Sequence, residues 1–100
     1  MEKKFNLGQV VMTQGIARIS NDFRFQDFVI ESLARHSIGD WGDLCEEDKS
    51  MNDYALEHDA GRLFSSYIIP KWTGFEDEGN IYIVTEYDRS YTTILFPSEY

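Results

Sequence analysis

The pattern of apolar and polar positions changes several times along the chain, and each change predicts a new element. Between positions 5 and 12, apolar and polar residues alternate weakly, which predicts a short first strand. Thr13 then stands where a helix N-cap is expected, and positions 14–19 are predicted to form a short helix. Asn21 and Asp22 are expected to end this helix.

The strongest helical pattern lies between positions 25 and 36. Side chains suited to a buried face recur there at intervals of three and four, which places them on one side of a helix. They are Phe25, Phe28, Val29, Ser32, Leu33 and His36. Gly39 follows at the position where such a helix is expected to end.

A third helix is predicted after a glycine-containing loop at positions 39–42, and it runs to about His58. Glu46 follows Asp43 by three residues, which is an Asp variant of the capping box and predicts Asp43 as the N-cap. Gly61 ends the segment. The residues expected to face inward are Leu44, Met51, Tyr54, Ala55 and Leu56.

The last third of the chain has the pattern of strands. Three such runs span positions 63–69, 80–87 and 91–96. Pro70 and Pro97 are expected to end the first and the last of them, because proline cannot donate to a strand ladder. The short connections predict an antiparallel meander.

Together these elements predict the fold class α+β, in the order β-α-α-α-β-β-β. We expect one domain over residues 1–100, because a chain of 100 residues has room for a single core. A small antiparallel sheet of about four strands is expected, with the first strand at one edge. Two or three helices should cover one face of this sheet.

Composition and charge narrow the function classes. The formal charge is −9, and the basic residues are scattered, which disfavours direct binding of nucleic acid. Cys45 is the only cysteine, so an internal disulfide or a cysteine-based zinc site is excluded. No apolar stretch has the length of a signal peptide or a membrane span, which predicts a cytoplasmic protein without a membrane partner.

The densest chemical feature is the acidic segment, which we define as residues 40–59. One interpretation is a solvated helix with a well-capped start. The other is a surface that imitates nucleic-acid phosphate or meets a basic protein, since opposite charge speeds association. The candidate partner-binding residues are Asp40, Trp41, Asp43, Glu46, Glu47, Asp53 and Glu57.

Trp41 is open to two interpretations. It lies between Gly39 and Gly42, so the loop around it has conformational freedom. A buried plug that anchors the loop on the sheet is the favoured interpretation. An exposed ring that binds a partner is the alternative, since aromatic anchors are enriched at binding sites.

Enzyme chemistry is less well supported. Asp40, Glu86 and Asp88 could form a magnesium site of the kind found in metal-dependent hydrolases, and this is kept as an alternative. Cys45 has three acidic neighbours that disfavour a thiolate. His36 and His58 are interpreted as structural. We therefore predict no catalytic residue, no metal ligand and no cofactor.

Several stretches of the chain carry a resemblance to a known family. They are Ser37-Ile38-Gly39-Asp40-Trp41-Gly42-Asp43-Leu44, Glu47-Asp48-Lys49, Asn52-Asp53, Arg62-Leu63, Ser66-Tyr67 and the run from Thr85-Glu86-Tyr87-Asp88-Arg89-Ser90 to Tyr91-Thr92-Thr93-Ile94-Leu95. The N-terminal Leu7-Gly8-Gln9-Val10-Val11 and Thr13-Gln14-Gly15 fit as well. The chain thus resembles a family of small bacterial proteins that are labelled plasmid-related and carried on mobile elements.

This resemblance implies no activity, catalytic residue or ligand, because none is established for the family. It implies a setting in plasmid or phage biology, including interference with host defence. The sequence therefore predicts a non-catalytic acidic interaction protein of bacterial or mobile-element origin, which binds a basic or nucleic-acid-binding protein through residues 40–59. The metal-dependent hydrolase and a structural homodimer, formed through an exposed strand edge, are the alternatives.

Overall fold

The computed structural model describes residues 2–100, which form a small α+β fold. Its strands are β1 Gln9–Met12, β2 Leu63–Ile68, β3 Asn80–Thr85 and β4 Tyr91–Leu95. Its helices are α1 Gln14–Ile19, α2 Phe23–Ser37 and α3 Glu46–His58. Three single turns of 3-10 helix lie at Lys71–Thr73, Glu76–Glu78 and Pro97–Glu99. The predicted fold class and element order are confirmed.

The four strands form one sheet in the order β1-β4-β3-β2, with β1 at an edge as predicted. Strands β2, β3 and β4 form the predicted antiparallel meander, in which Ile83 lies opposite both Ser65 and Ile94. The expectation of a wholly antiparallel sheet was wrong, because β1 runs parallel to β4. Three helices separate β1 from the meander, so no tight turn sets its direction.

One face of the sheet, which we call the inner face, is covered by α1 and α2. Helix residues Ile16, Phe25 and Phe28 pack there against strand residues such as Ile83 and Ile94. Side chains alternate along each strand, so every second residue belongs to this core. No helix among residues 2–100 is long and apolar enough to cross a membrane.

Helices α1 and α2 have their predicted ranges to within two residues. A neighbouring carboxylate caps α2, whereas a carboxylate distant in sequence caps α1. The Asp22 carboxylate accepts the backbone N–H groups of Arg24 at 2.9 Å and Phe25 at 3.1 Å, so α2 begins at Phe23. Thr13 occupies the N-cap position of α1 but makes no side-chain cap bond. The carboxylate of Glu99 accepts the Gly15 N–H at 3.0 Å instead, so a residue at the far end of the chain caps α1.

Two predictions for α3 were wrong. Its N-cap is Cys45 rather than Asp43, and the helix begins at Glu46. Met51 and Tyr54, which were expected to face inward, are 70% and 62% exposed. Asn52 and Ala55 are the buried residues of this helix.

The core contains a polar chain that starts at His36, a fully buried residue. His36 Nδ1 lies 2.6 Å from Ser65 Oγ, and Nε2 lies 2.9 Å from Thr85 Oγ1. Thr85 Oγ1 is 2.7 Å from Thr92 Oγ1, which in turn donates to the Leu7 carbonyl oxygen at 2.7 Å.

The Leu7 carbonyl, at the end of this series of hydrogen bonds, sets the donor and acceptor of each bond in it. A carbonyl only accepts and a hydroxyl has one proton, so Thr92 must accept from Thr85 and Thr85 from His36 Nε2. Nδ1 of His36 then accepts from Ser65. Burial, and secondarily the positive charge of Arg89, lowers the pKa of His36 to about 3, so the ring is neutral in the folded protein.

This arrangement predicts acid sensitivity. Between about pH 3 and 6.5 the unfolded chain binds a proton at His36 that the folded chain does not, so the free energy of unfolding is greatest above pH 6.5 and falls as the pH drops. The expected loss is about 1.4 kcal/mol per pH unit, or about 2 kcal/mol between pH 7 and 5. Denaturant unfolding across that range measures it.

The variant His36→Gln serves as the control, because it cannot titrate. Its unfolding free energy should change less with pH between 7 and 5 than that of the unaltered protein. Equal slopes for the two proteins would contradict the assignment. So would NMR evidence that His36 titrates near pH 6.5 while the protein stays folded.

Candidate functional site

The loop before α3 pairs with the free edge of β2. Asp43 N–H donates to the Ser66 carbonyl at 2.7 Å, and Ser66 N–H donates to the Trp41 carbonyl at 3.3 Å. Gly42 lies directly opposite Ser66 with φ +75°. A Cβ at Gly42 would collide with the Ser66 carbonyl oxygen and the ring of Tyr67, so only glycine fits this position.

Two side chains complete the closure of this edge. The Asn52 amide donates to the Phe64 carbonyl and accepts the Phe64 N–H, and it thus takes the place of a neighbouring peptide group. The Asp43 carboxylate accepts the Ile68 N–H at 2.8 Å. Alternate residues of a strand direct their backbone groups to the same side, so Phe64, Ser66 and Ile68 are the residues that would otherwise present unpaired N–H groups.

Trp41 is buried, as the favoured interpretation predicted. Its ring stacks on Phe5 at 6.2 Å between centroids and meets His36 edge-on at 5.6 Å. The indole Nε1 donates to the Asp53 carboxylate at 2.8 Å, which ties the loop to α3. In this conformation Trp41 presents no exposed ring to a partner.

Asp40 also has structural contacts. Its carboxylate accepts from Arg35 Nε at 2.7 Å and Nη2 at 3.2 Å, and from the Gly42 N–H at 3.1 Å. The bond from Arg35 is the main reason that the pKa of Asp40 is lowered. The Asp40 carbonyl accepts the Tyr67 hydroxyl at 2.7 Å, so the loop is held from both sides.

The seven candidate residues of the acidic segment therefore fall into two groups. Four of them hold the loop, α3 and β2 together, and these are Asp40, Trp41, Asp43 and Asp53. The other three are exposed on α3, and these are Glu46, Glu47 and Glu57. Within residues 2–100, their one ion pair joins Glu46 to Lys49 at 3.9 Å. The carboxylates that remain free for a partner are thus on the helix, not in the loop.

Beside α3 lies a groove of about 620 Å³, which we call the aromatic groove. Its floor is the outer face of the sheet, opposite α1 and α2, where Phe64, Tyr82 and Tyr100 cluster. Phe64 and Tyr82 lie 4.6 Å apart between ring centroids, and Tyr100 lies 5.8 Å and 5.9 Å from them. Met51 and Tyr54 line the groove from α3.

Sequence reasoning missed this groove because it placed Met51 and Tyr54 in the core. A pattern that could have found it is the stripe Glu47, Met51, Tyr54 and His58, which recurs at intervals of four, three and four. Tyr54 stacks on His58 at 4.0 Å between ring centroids, so part of this stripe is ordered on the helix surface. Charged side chains border the groove at Asp48 and Arg62.

The three carboxylates proposed for a metal are not brought together. Asp40 is bound to Arg35, and Glu86 accepts from Arg62 Nε at 3.2 Å. Asp88 accepts the Ser90 N–H at 3.0 Å in a turn. Over residues 2–100, no group of three or more His, Cys, Asp or Glu side chains is placed to hold a metal ion.

Within residues 2–100, the groups to consider for nucleophilic catalysis are the Ser65–His36 pair and Cys45. Ser65 and His36 lie in hydrogen-bond range of each other, but both are fully buried in the polar chain of the core. Cys45 is exposed next to Glu46 and Glu47. The exposed groups around α3 and the aromatic groove are carboxylates, aromatic rings and the Met51 thioether.

In comparisons with known proteins, the chain matches no family model, no curated protein and no solved structure. The resemblance to plasmid-related bacterial proteins therefore stays a prediction from the motifs.

The closed edge of β2 leads to a stability prediction. Replacing Asn52 by alanine leaves the Phe64 N–H and C=O without their partner, which should lower the free energy of unfolding by about 2 kcal/mol. Denaturant unfolding measures the change, and faster hydrogen exchange at the Phe64 amide should accompany it.

Glu57→Ala is the matched control, since Glu57 lies exposed on the same helix. Its effect should stay within about 0.5 kcal/mol. If Asn52→Ala and Glu57→Ala unfolded at the same denaturant concentration, the amide would contribute nothing to closing the edge.

Proposed function

We propose that this chain is a non-catalytic binding protein that holds a basic, amphipathic segment of a partner protein against α3 and the aromatic groove. The observation that carries the proposal is the exposure of Met51 and Tyr54 on a helix whose first turn is acidic. Single exposed apolar side chains are common, but Met51 and Tyr54 line one groove together with the sheet aromatics Phe64 and Tyr82.

The helix supplies charge and apolar surface on adjacent positions. Glu46, Glu47 and Asp48 form its first turn, and Met51 and Tyr54 follow one and two turns later. A partner segment that alternates basic and apolar residues would place cations on the carboxylates and apolar side chains in the groove.

The aromatic rings favour the same chemistry. Lysine and arginine bind the faces of tyrosine and phenylalanine rings as well as carboxylates. The groove presents Tyr54, Phe64, Tyr82 and Tyr100, with Asp48 at its border. The formal charge of −9 adds long-range attraction for a basic protein and repulsion for nucleic acid.

The proposed partner is a basic or nucleic-acid-binding protein. The resemblance to plasmid-related proteins would place such a partner in plasmid or phage biology, including host defence. Affinity capture from the host lysate at low and high salt, with and without nuclease, identifies it. A partner that is lost at high salt and kept after nuclease treatment has the expected properties.

Charge reversal tests the acidic part of the surface on the purified partner. The triple change Glu46→Lys, Glu47→Lys and Glu57→Lys should weaken binding by about ten-fold or more and reduce its dependence on salt. The matched control is Glu76→Lys, Asp77→Lys and Glu78→Lys, which makes the same charge change on exposed residues of the loop between β2 and β3. Equal losses in both triple variants would mean that only net charge matters, and would overturn the proposed site.

The aromatic groove is tested separately. Met51→Ser combined with Tyr54→Ser should weaken binding by about ten-fold or more, since exposed anchors of this kind contribute on the order of 1–2 kcal/mol each. Phe23→Ser combined with Tyr87→Ser is the control, because these residues are as exposed but lie outside the groove. Binding that survives the groove changes and is lost with the control changes would place the site elsewhere.

A further inference from the structure

The two edges of the sheet differ in a way that points to a second interaction surface. At the β2 edge, the N–H groups of Phe64, Ser66 and Ile68 are all paired by the loop and α3. At the β1 edge, no such cover exists among residues 2–100. Proteins close or protect sheet edges because an open edge pairs with another strand.

The geometry of β1 shows which of its groups are open. Gln9 N–H donates to the Ser90 carbonyl at 3.1 Å, and Thr13 N–H donates to the Ile94 carbonyl at 3.0 Å. Ladder bonds of a parallel pair recur at every second residue, so Val10 and Met12 direct their N–H and C=O groups away from β4. No backbone partner for these groups is present elsewhere in residues 2–100.

The side chains on this edge offer no protection either. The strand reads Gln-Val-Val-Met, without a charge, a proline or a bulge. Val10 and Met12 are 39% and 45% exposed. Natural edges that stay single carry lysine, proline or a bulge, or are very short, and of these devices β1 has only its length of four residues.

We propose that two copies of this chain associate by antiparallel pairing of their β1 strands, with a two-fold axis at Val11. In that register Val10 of each copy lies opposite Met12 of the other, and the open N–H and C=O groups of both residues are exchanged. The contact is self-complementary, since the same four residues serve on both sides.

Charge distribution favours a second copy as the occupant over a basic partner. Helix α3, with its acidic first turn, packs beside β2 at the far edge of the sheet, three strand positions from β1. That separation is roughly 14 Å, which exceeds the screening length of about 8 Å in physiological salt. Pairing through β1 would hold the outermost β2 strands of the dimer roughly 34 Å apart, so the two acidic helices would repel each other little.

The dimer would present both aromatic grooves on one side. A two-fold axis through a residue pair of an antiparallel ladder stands perpendicular to the sheet, so the outer faces of both copies point the same way. This inference does not rest on the proposed function, because the edge and the groove are different surfaces.

The expected affinity of the dimer is low. A strand of four residues gives a contact smaller than stable interfaces need, so we expect a dissociation constant on the order of micromolar or weaker.

Analytical sedimentation of the purified chain tests the proposal. Concentrations from about 1 to 500 μM are used, because this range covers the expected dissociation constant. The mass should rise from 11.7 kDa towards twice that value as concentration increases. Added salt should leave the dimer unchanged or strengthen it, because it screens repulsion between acidic copies. Binding of a basic partner should weaken with salt, so the two proposals fail independently.

Val10→Pro and Met12→Lys are the variants that should abolish the dimer. The proline removes a donor that β4 does not use, and the lysine places a charge opposite Val10 of the other copy. Ile68→Lys is the matched control, because Ile68 is 62% exposed on the strand at the closed edge. Circular dichroism and thermal unfolding confirm that each variant is folded.

The outcomes are distinct. Dimerisation lost in the β1 variants and kept in Ile68→Lys supports the proposal, as does slower hydrogen exchange of the Val10 and Met12 amides at high concentration. A chain that remains monomeric at the highest concentration overturns it. So does a dimer that persists in Val10→Pro and Met12→Lys.

Discussion

The pairing of the β2 edge with the loop at Gly42 and the amide of Asn52 is the constraint on which the rest of this structure depends. Where the loop and α3 cover the β2 edge, its N–H and C=O groups are shielded from water and need partners inside the protein. Asn52 meets this requirement only if its face of α3 is turned towards β2. That rotation carries Met51 and Tyr54 to the outside, where they border the aromatic groove.

The same constraint divides the acidic segment by role. Asp43 satisfies a backbone N–H of β2, Asp53 holds the indole of Trp41, and Asp40 is bound by Arg35. Acidic residues at these three positions have a structural role, since each carboxylate accepts hydrogen bonds inside the protein. The carboxylates free for recognition lie on α3 beside exposed apolar side chains. A dense acidic segment is therefore a mixture of scaffold and candidate surface, and only contacts distinguish the two.

Much of the fold follows from local pattern. The period of α2 predicted its buried face, and Phe25, Phe28 and Val29 do pack in the core. The alternation and short turns of the last third predicted the meander. Of the candidate site, the acidic residues Glu46, Glu47 and Glu57 of α3 were among the predicted residues. The aromatic groove was not predicted, because its floor and its helix wall are brought together from separate parts of the chain.

By itself the sequence determined the element types, their order and the buried face of α2. These depend on periodicity along the chain. Only the tertiary structure decided that β1 is parallel to β4, that Glu99 caps α1 and that Asp43 bonds Ile68 rather than α3. The physical reason is that an acidic side chain can satisfy any N–H within reach. Which one it meets depends on how distant segments pack.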